Sequence, residues 1–275
     1  MNGIVKRTIF GVLFLAVMLG GLLFHAWLFA ALMSFICGGM LWEFYQMTLG
    51  ARMKRQQWLA ICTGTLAFLG VFMVAGYGLS WKWLGLLLVL VVVLSSSFIF
   101  EKDHQDFPKA AFLYTGLLYI ALPIALSNLL VFQDGVFSGT LLVAFFIIIW
   151  SSDTGAYCFG MLFGQKGGKK LCPDISPKKS WAGFWGGVLM AMVAGAILHF
   201  TGLFGFSLVH SLIVAGIMGV VGVAGDLFES LWKRAFDIKD SSHIIPGHGG
   251  LLDRFDSALF AIPVASVYLI LFDLL

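Results

Sequence analysis

Nine apolar runs, each about 16 to 22 residues long, fix what this 275-residue chain can become. A helix needs about 20 residues to cross the hydrocarbon core of a bilayer, so each run is read as a spanning helix. The runs are Thr8–Leu23, Ala26–Met47, Trp58–Tyr77, Leu84–Phe100, Ala110–Val131, Ser138–Cys158, Gly183–Thr201, Leu208–Gly225 and Ser257–Leu274. Only a short turn near His25 divides the first two. With 60% of residues hydrophobic and 11% charged, an ordinary soluble domain is excluded. The expected fold class is all-α, a polytopic integral membrane protein with about nine transmembrane helices in one domain over residues 1–275. Lys6 and Arg7 precede the first run as in a signal peptide, but no small-x-small cleavage site follows. A retained first helix is expected. Cys37, Cys62, Cys158 and Cys172 form no CxxC pair and are read as inert helix cysteines.

The basic residues test this count. Nine spans put the termini on opposite sides of the membrane. With a cytoplasmic N-terminus, every one of the 17 Lys and Arg residues except Lys82 falls inside. That is the positive-inside bias, and it puts every charged motif on the cytoplasmic face. The expected location is a membrane whose inner face meets the cytoplasm.

The segment Ser230–Asp256, SLWKRAFDIKDSSHIIPGHGGLLDRFD, breaks the hydrocarbon pattern. Charge near lipid is costly and usually functional. Just upstream, Asp226, Glu229, Ser230 and Lys233 fall at i, i+3, i+4 and i+7, and share one face if the eighth helix continues past Gly225. Gly216, Gly219, Gly222 and Gly225 form a small-residue stripe for close packing that would hold Asp226 rigidly. Asp253 and Asp256 open the last span. They can cap it, with Asp253 at the N-cap and Asp256 in the first turn. Together with Asp226 they also make an oxygen-ligand set for a hard divalent cation such as magnesium, and the two roles are compatible.

Gly247, Gly249 and Gly250 can offer backbone N–H groups to phosphate, and His248 between glycines reads as a substrate contact rather than a metal ligand. His25, His199 and His210 are read as packed or interfacial. Lys166, Lys169 and Lys170 read as a solvated face. Ser176-Pro177 fixes the backbone before a helix start, where Lys178 and Lys179 suit an anion. Asp153 in WSSDTGAY is an intramembrane carboxylate and so a functional candidate. Glu43 in LWEFYQM serves either function or interhelical hydrogen bonding. No P-loop, kinase or zinc-protease pattern is present. The residues alone describe a metal-dependent membrane enzyme acting on phosphate esters.

Ser230–Asp256 closely resembles the signature of the phosphatidate cytidylyltransferases (CDP-diacylglycerol synthases). Ser230, Lys233, Arg234, Lys239, Asp240, Ser242, Pro246, His248, Gly249, Gly250, Asp253, Arg254 and Asp256 stand at its fixed positions. The runs SDTGAY at 152–157, SPKKSWAG at 176–183 and GDLFES at 225–230 also look like family segments. Trp232 and Ala182 depart from it; many members carry Glu at the latter position. The resemblance implies that CTP and phosphatidate give CDP-diacylglycerol and pyrophosphate. It implies Asp226, Asp253 and Asp256 as ligands of Mg²⁺, with room for a second cation. It assigns Lys178, Lys179, Lys233, Arg234, Lys239 and Arg254 to the phosphates of CTP or phosphatidate. Lys239 joins the three aspartates in the catalytic set, and Asp153, Ser176, Ser230, His248, Gly249 and Gly250 complete the substrate-binding set. Residues 1–135 would then be scaffold helices on the lipid side, and 136–275 the catalytic helices and cytoplasmic loops. Expected partners are CTP, phosphatidate, the bilayer and, from the resemblance, a second copy of the chain; no nucleic acid is expected.

Two other readings compete. One is a cytidylyltransferase or CTP-dependent kinase for another membrane lipid, such as an isoprenoid phosphate or alcohol. The other, more remote, is a cation-coupled transporter, suggested by Asp153 and Asp226 within spans.

Overall fold

The computed structural model describes residues 3–100, 105–164, 168–242, 244 and 249–275. Among these the chain forms nine helices: α1 (Gly3–Leu23), α2 (Ala26–Leu49), α3 (Lys54–Tyr77), α4 (Trp81–Phe100), α5 (Phe107–Val131), α6 (Thr140–Phe163), α7 (Trp181–Phe200), α8 (Leu208–Ala235) and α9 (Leu252–Leu271). All except α1 are long and apolar enough to cross a membrane; the apolar part of α1, Thr8–Leu23, is shorter. Two short antiparallel hairpins interrupt the helices: β1 (Phe132–Gln133) with β2 (Val136–Phe137), and β3 (Lys170–Cys172) with β4 (Ser176–Ser180). The protein is therefore an all-α polytopic membrane protein. Its outward faces are apolar, with Leu88, Phe100, Leu162 and Phe200 among the exposed residues. Lipid can cover such faces; water would not.

The chain divides into two compact units. One comprises Met1–Ser138 with Asp240–Arg254, the other Gly139–Lys239 with Phe255–Leu275. In the first, α2 supplies the core: Phe29, Met33, Met40, Phe44 and Tyr45 are fully buried. Phe29 meets Phe68 of α3 at a ring separation of 5.8 Å, and the Tyr45 hydroxyl donates to Leu113 O at 2.8 Å. Gly116 lies under that ring, where a Cβ would come within 2.5 Å of it. One turn of π-helix at Leu117–Ala121 precedes Pro123, whose missing N–H and bulky ring are a sufficient local cause.

In the second unit, backbones approach closely through small residues. A Cβ on Gly183 would sit 2.8 Å from Ala156 O, and one on Gly187 would sit 3.0 Å from Ser152 O. The α8 stripe does the same. A Cβ on Gly219 would come 3.1 Å from Val188 Cα, one on Gly222 would touch Ser257 at 3.5 Å, and one on Gly225 would come 2.5 Å from Asp256 O. The expected small-residue packing is present.

α8 extends ten residues beyond the expected end at Gly225. Its 28 residues make roughly 42 Å at 1.5 Å each, against a hydrocarbon core of about 30 Å. The extension contains helix-favouring residues and an i,i+4 Glu229–Lys233 pair, so loss of apolarity does not end the helix. The imidazoles have local partners: His25 caps α2 by accepting from Trp27 N, His199 Nδ1 meets Phe206 O at 2.9 Å, and His210 Nδ1 meets the Tyr268 hydroxyl at 2.8 Å.

Candidate active site

The charged motifs fall into two networks, one in each unit. In the second unit the continuation of α8 puts Asp226, Glu229, Ser230 and Lys233 on one face, as their spacing requires. Lys179 Nζ lies 2.5 Å from Asp226 Oδ2, and Ser230 Oγ donates to Asp226 Oδ1 at 3.5 Å. Glu229 is fully buried and pairs with Lys233 one turn on. The Arg234 Nε–H donates to Ile175 O at 3.3 Å, tying the β3–β4 turn to α8.

Lys178 and Lys179 are not in a helical turn. Ser176–Ser180 is a strand paired with Lys170–Cys172, in register Lys170 with Ser180 and Cys172 with Ser176. The helix begins at Trp181, with Ser180 as its N-cap accepting from Gly183 N at 3.2 Å. Strand alternation sends the two lysines to opposite sides: Lys178 is exposed, while Lys179 is half-buried at Asp226. Ser176 is half-buried at the start of the strand.

Asp256 is half-buried on α9, and the charged groups whose fields reach it are Asp226, Asp153 and Lys233. Asp153 is on α6, exposed. Gly225 lets α8 pack directly onto the Asp256 backbone, so the carboxylates of Asp226 and Asp256 are carried by helices in van der Waals contact. Lys239 is exposed past the end of α8, where Asp237 turns the chain with φ 52°.

In the first unit the network centres on Glu43 of α2 and Asp253. Glu43 is fully buried. Its Oε1 accepts from Ser242 Oγ at 2.5 Å and Leu251 N at 2.9 Å, and its Oε2 from Ser241 Oγ at 3.1 Å and Leu252 N at 2.8 Å. Asp253 Oδ2 accepts from Gly250 N at 2.7 Å, Ser241 N at 3.0 Å and Ser241 Oγ at 3.1 Å. Asp253 lies inside the first turn of α9 rather than at its N-cap, and Glu43 takes two of the helix's free N–H groups from outside. Gly249 adopts φ 82°, and a Cβ there would approach Asp253 Oδ2 within 2.7 Å. Gly250 N–H is directed to Asp253, and a Cβ on Gly250 would strike Ser241 Oγ and both Glu43 oxygens. Arg254 is exposed. His248, with His243, Pro246, Gly247 and Lys166, lies outside the described residues.

Among the described residues no three His, Cys, Asp or Glu side chains form a ready-made metal cage. Asp226 and Asp256, on helices that touch through Gly225, are carboxylates of the type that magnesium takes. That ion commonly takes one or two carboxylates and completes its shell with water and phosphate oxygens. The interhelical hydrogen bonding expected as one of two roles for Glu43 is present, from α2 to the start of α9, while Ser241 carries no signal of its own in the sequence.

The model of the cytidylyltransferase family matches residues 5–272. The chain is 36% identical over 187 residues to the phosphatidate cytidylyltransferase of Staphylococcus epidermidis, covering 68% of each. It is 38% identical over 188 residues to the phosphatidate cytidylyltransferase of Bacillus subtilis, covering 68% of this chain and 66% of that one. With the phosphatidate cytidylyltransferase of Rickettsia prowazekii it shares 33% identity over 220 residues, 78% of this chain and 92% of the relative. A match from end to end, on a helical membrane scaffold with acids and lysines held together at the end of α8, places this chain in the cytidylyltransferase family.

Proposed function

We propose that the protein transfers the CMP moiety of CTP to phosphatidate, releasing pyrophosphate and forming CDP-diacylglycerol for phospholipid synthesis. The observation that carries this reading is the Lys179–Asp226 pair. It joins the SPKK segment to the GDLFES segment just before the signature within one unit, which supports a locality where the cations proposed for phosphate and the acids proposed for the metal meet.

In the proposed reaction a phosphate oxygen of phosphatidate attacks the α-phosphorus of CTP in line. One P–O bond forms, the α–β anhydride bond breaks, and its electron pair leaves with pyrophosphate. Lys178, Lys179, Lys233, Arg234, Lys239 and Arg254 are the cations proposed to bind and orient the two phosphate substrates, with Ser176, Ser230, Asp153, His248, Gly249 and Gly250 beside them. Asp226, Asp253 and Asp256 are the carboxylates proposed for Mg²⁺ and a second cation. When bound, the metal supplies positive charge to the α-phosphate and the departing pyrophosphate. The phosphatidate phosphate is close to dianionic at neutral pH, so no general base is assigned.

The site is proposed to face the cytoplasm of a bacterial inner membrane, because only Lys82 among the basic residues would lie outside. The homodimer that the resemblance raises belongs to the same proposal, and crosslinking in native membranes tests it. The test of substrate is radiolabelled CTP offered with phosphatidate and, separately, with polyprenyl phosphates. Labelled CDP-diacylglycerol from phosphatidate is expected. Product from the polyprenyl substrate alone would replace this reading with the isoprenoid one.

A further inference from the structure

We propose that Glu43 is a positioning residue for the transfer reaction: a buried carboxylate on α2 that holds Ser241 and Ser242 to Leu251 and Leu252 within the signature and so sets the first turn of α9. The inference rests on the function proposed above. Its basis is the pattern of donors. Each carboxylate oxygen accepts one hydroxyl from before residues 243–248 and one backbone N–H from after them: Ser242 with Leu251 on Oε1, Ser241 with Leu252 on Oε2. A single side chain thus joins two stretches about ten residues apart, and it does so across 198 to 209 residues of sequence.

Burying a carboxylate is costly unless hydrogen bonds replace its water, and here three donors do so together with the Ser241 hydroxyl, whose one proton is shared with Asp253. The two N–H groups are among those a helix start leaves without intrahelical partners, so Glu43 caps the start of α9 from another helix. The clamp continues into the signature. Ser241 Oγ lies 3.1 Å from both Glu43 Oε2 and Asp253 Oδ2, and Gly250 N donates to that same Asp253 oxygen. The Glu43 carboxylate therefore reaches Asp253 through one shared hydroxyl. Gly250 is part of the fit, because any side chain there would collide with Glu43 itself. Glu43 acts on the reaction through Asp253 and the signature loop.

The experiment uses the full-length protein in detergent or nanodiscs and compares wild type with Glu43→Gln. The amide keeps the shape but turns one acceptor toward N–H groups as a donor. We expect kcat to fall about 100-fold, the scale of an ångström-sized displacement at a reacting centre. Amide hydrogen exchange should rise at Leu251 and Leu252 but stay at wild-type levels in α7 and α8. A purely structural contribution would raise exchange broadly or lower the folded yield, and leave kcat of the folded fraction unchanged. Wild-type kcat in Glu43→Gln, or unchanged exchange at Leu251 and Leu252, overturns the proposal. If Glu43→Gln does not fold, Ser242→Ala decides, since it removes one link of the four. A loss of kcat of about fivefold with faster exchange at Leu251 supports the clamp, and unchanged kcat overturns it. The exchange readout needs no substrate, so a wild type that fails to make CDP-diacylglycerol would sink the proposed function without touching the clamp.

Discussion

The two units use carboxylates in opposite ways. In the first, Glu43 and Asp253 are met by hydroxyls and backbone N–H groups, neutral donors that fix geometry. In the second, Asp226 is met by a lysine, and Asp256 lies in the fields of two further acids. The donors on Glu43 and Asp253 tie Ser241 and Ser242 to the residues at the start of the last helix. Carboxylates carried close together retain a demand for positive charge that a divalent cation meets. The same residue types stand in both places with different partners, and Asp253, proposed above as a metal ligand, is also held by the Ser241 and Gly250 N–H groups.

The largest expected effect follows from removing that demand. Asp226→Asn and Asp256→Asn should each lower CTP-dependent pyrophosphate release by about 10³ or more, with membrane insertion intact, because the amides keep shape and lose charge. Similar activity in either variant and wild type would erase the distinction between the units. Next comes the packing that carries these acids. Gly225→Ala places a methyl 2.5 Å from Asp256 O, so α8 and α9 must move apart. Overpacking of this kind costs about 1–3 kcal/mol, read as a lower melting temperature in detergent, and a shift near the acids should cost about 100-fold in kcat.

The lysines of the hairpin sharpen the comparison further. Lys179→Ala removes the partner of Asp226 and should lower kcat/KM about 100-fold. Lys178→Ala, on the opposite face of the strand, should cost about tenfold and mostly in KM. Equal effects would show that the Asp226 contact carries no special weight.

The smallest effect is expected at Asp106, outside the spans. There the Lys109 hydrogen bond, with Arg52 nearby, holds the carboxyl below its ordinary value of 3.8. A folded value below the unfolded one gives stability that is present above pH 3.8 and lost as pH falls through the folded value. Any difference in melting temperature between wild type and Asp106→Asn should be slight at neutral pH and vanish in acid. At this exposed site it marks the floor against which the other variants are judged.

What the sequence revealed depended on range. The face shared by Asp226, Glu229, Ser230 and Lys233 was legible because i, i+3, i+4 and i+7 is a local rule, and the glycine stripe was legible for the same reason. The strand at Ser176–Ser180 was not. Five residues containing a proline carry no alternation strong enough to separate a hairpin from a helix start, and the partner strand Lys170–Cys172 supplies the order. Asp253 looked like an N-cap by position, and it lies one residue inside the helix because Glu43 takes the outer N–H groups. The sequence offered interhelical hydrogen bonding as one role for Glu43, but no local pattern names its donors, which lie some 200 residues away. The apolar runs gave the spans but misplaced the end of α8, where charge begins while helical propensity continues.

One measurement bears most directly on the proposal that Asp226, with Asp253 and Asp256, holds a catalytic cation: pyrophosphate release from CTP and phosphatidate across a magnesium titration, for wild type and Asp226→Asn. The wild type should depend on magnesium and fall silent in chelator, and the variant should stay about 10³-fold below it at every concentration. Release that persists in chelator, or a variant that keeps most of its activity at limiting magnesium, would contradict the account.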